Sequence, residues 1–162
     1  MSASAEKIRL ERTYPTSAER IWELLTTGEG LAQWWAMDGF TLEVQELDLR
    51  VGGELRYTMT VTDPKELEFA KANNLPLVIE SRKTYTEVVP TTRLAYSASS
   101  TFVHDPAVEP YDFVTVVELR PTDDGVRVVL TADTMHSDEW TQRVTKSRET
   151  ELDRLTGIVS AS

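Results

Sequence analysis

Apolar positions along the chain fall into two periods, and the switches between them mark the elements. Ile8 and Leu10 alternate with Lys7, Arg9 and Glu11, which predicts a half-buried first strand. Pro15 halts regular pairing. Thr16 or Ser17 can then cap a helix whose first turn carries Glu19, where the helix dipole favours an acid. Ile21, Trp22, Leu24 and Leu25 give that helix its apolar face. Gly28 and Gly30 read as bracketing a bend before a second short helix with Leu31, Trp34 and Trp35. Residues 41–49 are extended, but the apolar phase slips: Leu42 and Val44 are even-numbered, Leu47 and Leu49 odd. A bulge near Gln45 and Glu46 reconciles the two faces. After Gly52-Gly53, the residues Leu55, Tyr57, Met59 and Val61 alternate with Glu54, Arg56, Thr58 and Thr60 as a clean strand.

Residues 64–74 break the strand series. Pro64 suits a first helical turn, and Leu67, Ala70 and Lys71 fall at helical spacing, so the stretch reads as a short helix or ordered loop at the periphery. Residues 76–89, 93–101 and 111–120 follow as strands. Asp123-Asp124-Gly125 is a hairpin turn leading to Val126, Val128, Leu130 and Ala132. Ser137 is placed to cap a final helix with Asp138 and Glu139 in its first turn and an apolar stripe of Trp140, Val144, Leu152, Leu155 and Val159. One strand, two helices, six strands and a long terminal helix make an α+β layered domain, and no linker or repeat divides residues 1–162.

Forty per cent hydrophobic content in 162 residues is enough for one proper core. A net charge of −10 argues against a nucleic-acid partner and against an anionic membrane surface. There is no cysteine, hence no disulfide or thiolate chemistry, and the first residues form no apolar signal region. The expected location is cytoplasmic. His104 and His136 stand 32 residues apart with no second ligand at metal spacing. His104 reads as an exposed loop histidine, His136 as a surface or capping residue able to titrate near neutral pH. No nucleophile elbow, P-loop or dinucleotide fingerprint occurs, so no catalytic residue, metal or cofactor is assigned.

Four runs carry more specific information: Arg12-Thr13-Tyr14-Pro15, then Ala18 through Thr26 (AERIWELLT), Leu31-Ala32-Gln33-Trp34-Trp35, and Asp48-Leu49-Arg50-Val51-Gly52-Gly53-Glu54-Leu55. In this order they resemble the START-like (SRPBCC) superfamily, within it the branch named for activator of heat-shock protein 90 ATPase homologues. The resemblance implies a helix-grip fold, in which a curved antiparallel sheet wraps around a long C-terminal helix with a cavity between them. It also implies that the cavity binds a small, largely apolar or amphiphilic molecule. Two alternatives accompany that function: an interaction protein that modulates a chaperone ATPase, and a cyclase- or hydrolase-type enzyme using the same cavity. The oligomeric state stays open, a homodimer included.

The residues assigned to the cavity lining are Trp34, Tyr57, Met59, Tyr85, Tyr96, Phe113 and Arg148. Trp34 and Trp35 are neighbours on one short helix, so one is expected to pack under the sheet edge and the other to line the cavity. Three tyrosines from different strands each need a hydrogen-bond partner if buried, which a partly hydrated cavity supplies. Arg148 lies four residues from both Val144 and Leu152 on the apolar stripe, where relatives often have Gly-Trp-Glu and this chain has Ser147-Arg148-Glu149. A guanidinium there needs a counterpart, either an internal carboxylate or an anionic group of a ligand.

Overall fold

The computed structural model describes residues 7–36, 39–100 and 111–161. The chain runs β1 (Lys7–Tyr14), α1 (Ala18–Thr26), α2 (Gly28–Trp34), β2 (Phe40–Leu47), β3 (Glu54–Val61), α3 (Pro64–Ala72), β4 (Val78–Val89), β5 (Arg93–Ser100), β6 (Tyr111–Thr122), β7 (Gly125–Asp133) and α4 (Asp138–Ala161). All seven strands join one antiparallel sheet in the order β1-β7-β6-β5-β4-β3-β2, so the first strand closes onto the last. Ile8 and Leu10 of β1 face Ala132 and Leu130 of β7, which matches the two apolar phases read from the sequence. This is the expected helix-grip arrangement.

The start of α1 is capped as the sequence predicts, by Ser17, whose hydroxyl accepts from the Arg20 amide at 3.1 Å. The two glycines that follow do not bracket a bend. Gly28 opens α2 and Gly30 lies inside it, with Thr27 as the cap accepting from the Gly30 amide at 2.9 Å. A Cβ at Gly30 would lie 2.7 Å from both the Glu23 carbonyl oxygen and the Leu24 Cα. Glycine is there because α2 presses directly on the backbone of α1. The phase slip in β2 is a bulge between Val44 and Glu46, where it was expected. Segment α3 is a helix whose cap is Asp63, one residue before Pro64, and it buries only Ala70.

Ser137 caps α4 by accepting from the Trp140 amide at 3.2 Å. The two halves of this helix are unequal. Leu152, Leu155 and Val159 sit in the core, whereas Trp140 and Val144 are only half-buried. Two hydrogen bonds fix the buried half. The Tyr14 hydroxyl donates to the Leu152 carbonyl at 2.9 Å, and Arg154 Nε donates to the Trp34 carbonyl at 2.8 Å.

One irregularity positions the site. Strand β4 pairs with β3 from Thr84 to Val78, and β5 pairs with β6 as far as Ser100. Between β4 and β5, however, pairing reaches only Thr84 and Ser97. Beyond that point residues 78–83 and 98–100 diverge, and among the described residues the sheet is split there.

Candidate binding site

The split opens a pocket of about 530 Å³ bordered by Glu80, Ser81, Arg82, Lys83, Thr84, Ser97, Ala98 and Asp112. Strand alternation divides this border in two. Ser81 and Lys83 are in phase with buried Tyr85, and Ala98 with buried Tyr96, so they belong to the concave face. Glu80, Arg82, Thr84, Ser97 and Asp112 belong to the outer face, where Arg82 reaches Glu54 at 3.5 Å. The pocket is therefore bordered by side chains of both faces, with a polar outer rim.

On the concave side, joined to this border through Lys83, stands a charged and aromatic cluster. Arg148 Nη1 donates to Glu151 Oε2 at 2.7 Å, and its Nη2 to the Thr115 hydroxyl at 3.3 Å. Glu151 Oε1 accepts from the Trp35 indole N–H at 2.7 Å. Glu151 is only 6% exposed, so each of its oxygens holds a specific donor in place of water. The sequence left the counterpart of Arg148 open between an acid and a ligand; the structure supplies the acid, three residues along the same helix. Burial alone would push the Arg148 guanidinium down, but Glu151 beside it more than offsets this and holds its pKa above the ordinary value. Its Nε is buried without a hydrogen-bond partner among the described residues. The guanidinium also lies over the Phe113 ring, 5.8 Å from the centroid.

Lys83 completes the cluster from β4. Its ammonium sits 5.9 Å from the Trp35 ring centroid and 5.8 Å from that of Tyr57. Among the described residues it makes no hydrogen bond and no ion pair. Desolvation, with Arg148 adding like-charge repulsion, pushes Lys83 down to about 8, and Glu151 opposes the shift only in part. Trp35 stacks at a tilt on Tyr57 at 5.0 Å and meets Tyr96 edge-on at 6.0 Å.

The seven expected lining residues divide between two places. Tyr57, Phe113 and Arg148 belong to this cluster, and Met59 lies half-buried two residues along β3 from Tyr57. Trp34, Tyr85 and Tyr96 lie deeper, around a cavity of only about 20 Å³ that they share with Leu94, Val117 and Leu155. That is room for about one water molecule. The deep interior is thus nearly filled, and the larger space lies at the split. The tryptophans also depart from expectation. Both are buried, Trp34 at 4% and Trp35 at 7%, because they leave the end of α2 in different directions. Trp34 donates to the Leu24 carbonyl at 2.8 Å under α1, while Trp35 turns to the sheet and Glu151.

Burial raises Tyr57 and Tyr85 to about 12, and Tyr96 further in the same direction. Ser81 interacts with the Tyr57 hydroxyl and Thr115 with that of Tyr96, whereas the Tyr85 hydroxyl has no partner among the described residues. Sequence reasoning missed Trp35 as a polar contributor, and it missed Lys83, Thr115 and Glu151 entirely. The spacing of Arg148 and Glu151 was a visible signal for one of them. His136 lies on the surface, its Nδ1 2.9 Å from the Tyr111 hydroxyl. His104 falls outside the described residues. No helix among the described residues is long and apolar enough to cross a membrane.

The same architecture recurs in solved structures. A crystal structure of a protein from Chromobacterium violaceum is 24% identical and superposes with a TM-score of 0.72, covering 94% of this chain and 96% of that one. An AHSA1-like protein from Aeromonas hydrophila, solved in solution, is 20% identical with a TM-score of 0.72, over 96% and 93% of the two chains. A protein from Arthrobacter aurescens, 15% identical, reaches a TM-score of 0.74 over 100% and 90%. At these identities the likeness speaks for the fold alone. No curated protein matches the sequence. The family model for Activator of Hsp90 ATPase homolog 1-like protein matches residues 15–160, nearly the whole chain, and the protein belongs to that family, a START-like branch with the helix-grip fold.

Proposed function

We propose that this domain binds a small, largely apolar molecule that reaches the concave face through the split between β4 and β5. The observation that carries this reading is the pocket of about 530 Å³ at the split, whose inner border, Lys83, stands directly over the Trp35 and Tyr57 rings. Small-molecule sites are concave, mostly apolar and furnished with few polar groups. In this reading Tyr57, Met59 and Phe113, which lie on the concave face behind the pocket's border, supply the apolar wall, and the Arg148–Glu151 pair with Lys83 supplies the polar end. The deep cavity behind Trp34, Tyr85 and Tyr96 is too small for such a molecule and acts as core.

The test uses the uncharged fluorescent probe N-phenyl-1-naphthylamine on wild type and on Ala98→Trp. Ala98 lies at the inner border of the split and only partly buried, so a large side chain there narrows the passage without entering the core. Saturable binding by wild type, lost in Ala98→Trp at an unchanged melting temperature, is the expected result. Equal binding by both proteins would remove the split from consideration as the site.

A further inference from the structure

The charges facing the concave side of the split do not balance. Lys83 and Arg148 each bring a positive charge, and among the described residues Glu151 is the acid that faces both. Tyr57 from β3 and Tyr96 from β5 are held neutral by burial. Trp35, Phe113 and Thr115 carry no charge. Among the described residues the cluster therefore holds one unit of positive charge in excess at neutral pH, shared between the half-buried Lys83 and the Arg148–Glu151 pair behind it. The rings of Trp35 and Tyr57 offset part of it through cation–π attraction, but they accept no ordinary hydrogen bond. Among the described residues two donor groups have no hydrogen-bond partner, the half-buried Lys83 ammonium and the buried Arg148 Nε. Native structures rarely leave a buried donor such as the Arg148 Nε unpaired without a reason.

We infer that the site is built for a single negative charge, and that the class of ligand is a monocarboxylate with a short apolar tail, its carboxylate held by Lys83 with Arg148 Nε and its tail against Tyr57, Met59 and Phe113. This deepens the binding function proposed above and rests on it. The outer rim decides against more highly charged ligands. Glu80 and Asp112 are exposed acids there, and the one basic rim residue, Arg82, is engaged with Glu54. A phosphate or dicarboxylate passes them at a greater cost than a monoanion does. The chain's overall charge of −10 matters less, because charges beyond a Debye length of about 8 Å are screened at physiological salt.

The experiment measures displacement of the same naphthylamine probe by octanoate and by 1-octanol, equal in length and differing in charge. It is run at pH 6.5 and 9.5 on wild type, Lys83→Met and Lys83→Arg. Lys83 is charged at the lower pH and largely neutral at the higher, since it titrates near 8. Wild type should prefer octanoate by roughly tenfold or more at pH 6.5, the scale of one charge-assisted hydrogen bond, and lose that preference at pH 9.5. Lys83→Met should show no preference at either pH. Lys83→Arg, which does not titrate in this range, should keep the preference at both. Equal affinity of wild type for the two probes, or a preference that survives Lys83→Met, overturns the carboxylate inference and leaves the binding function standing. Failure of both probes to displace the dye, or failure of the dye to bind, overturns the two together.

Discussion

Replacing Arg148 by methionine separates a structural ion pair from a ligand anchor. The substitution keeps a long apolar side chain near Phe113 and removes the 2.7 Å bond to Glu151. Glu151 would then be a carboxylate only 6% exposed, with the Trp35 indole as its remaining hydrogen-bond donor. Breaking one side of a buried pair typically costs about 3–5 kcal/mol. Lys83 already feels the Glu151 charge and offsets part of the loss, which puts the expected cost at the lower end, about 3 kcal/mol. For a domain of this size that lowers the melting temperature by roughly 6–12 °C. The assay is paired thermal and urea unfolding of wild type, Arg148→Met, Glu151→Met and the double variant. Removing both charges eliminates the orphan, so the double variant should recover most of the loss, and the coupling energy should be large and favourable. An Arg148→Met protein as stable as wild type, or more so, refutes the reasoning and returns Arg148 to the role of an uncompensated charge.

Four further outcomes follow from other parts of the fold. Gly30→Ala should destabilise the protein in thermal unfolding, although alanine is ordinarily the better helix former by about 1 kcal/mol, because the new Cβ meets the backbone of Glu23 and Leu24. Replacing residues 64–74 by a short glycine-containing turn should shift the melting temperature little, since α3 buries only Ala70; global unfolding at room temperature would contradict this. Truncation after Ser137 removes Leu152, Leu155 and Val159 from the core, at about 1.5–3 kcal/mol each, and calorimetry of the fragment should show no cooperative transition. The last concerns pH. Lys83 titrates near 8 when folded and near 10.5 when unfolded, so between those values the unfolded chain holds more protons and stability rises with pH. Tyr14, Tyr57 and Tyr85, raised to about 12, act in the opposite sense, losing stability as pH climbs above 10. Denaturant melts of wild type should show the rise above pH 8, and Lys83→Met should lack it.

Elements whose side chains repeat locally were legible in the amino-acid sequence. The alternation of Leu55, Tyr57, Met59 and Val61 marked β3, and the phase slip of β2 located its bulge, because register is a property of neighbouring residues. Gly30 was misread because its reason for being glycine is a second helix, invisible in a local pattern. Of the candidate site, Tyr57, Phe113 and Arg148 were legible, because they stand out against their strands and stripe, whereas Trp34, Tyr85 and Tyr96 proved to line the small deep cavity instead. Lys83 was not legible. It sits in the run Ser81-Arg82-Lys83-Thr84, which looks solvated throughout, and only the position of Trp35 and Tyr57 turns one of its charges inward. The split itself depends on where β4 leaves β5, a non-local event with no sequence period.

The pairing of β1 with β7 governs how this chain is made as well as how it is held. Residues 7–14 find their partners only at residues 126–133, so the ribosome releases the first strand long before its edge can be satisfied. Then α4, the last described element, must follow before Leu152, Leu155 and Val159 can meet the core. At about 5–20 residues per second, synthesis leaves the nascent sheet open for several seconds. Throughout that interval an unpaired strand and an uncovered apolar face are exposed together. Folding of this domain therefore waits on β7 and α4, and the cost of interrupting synthesis before them is an open strand edge beside an uncovered apolar face.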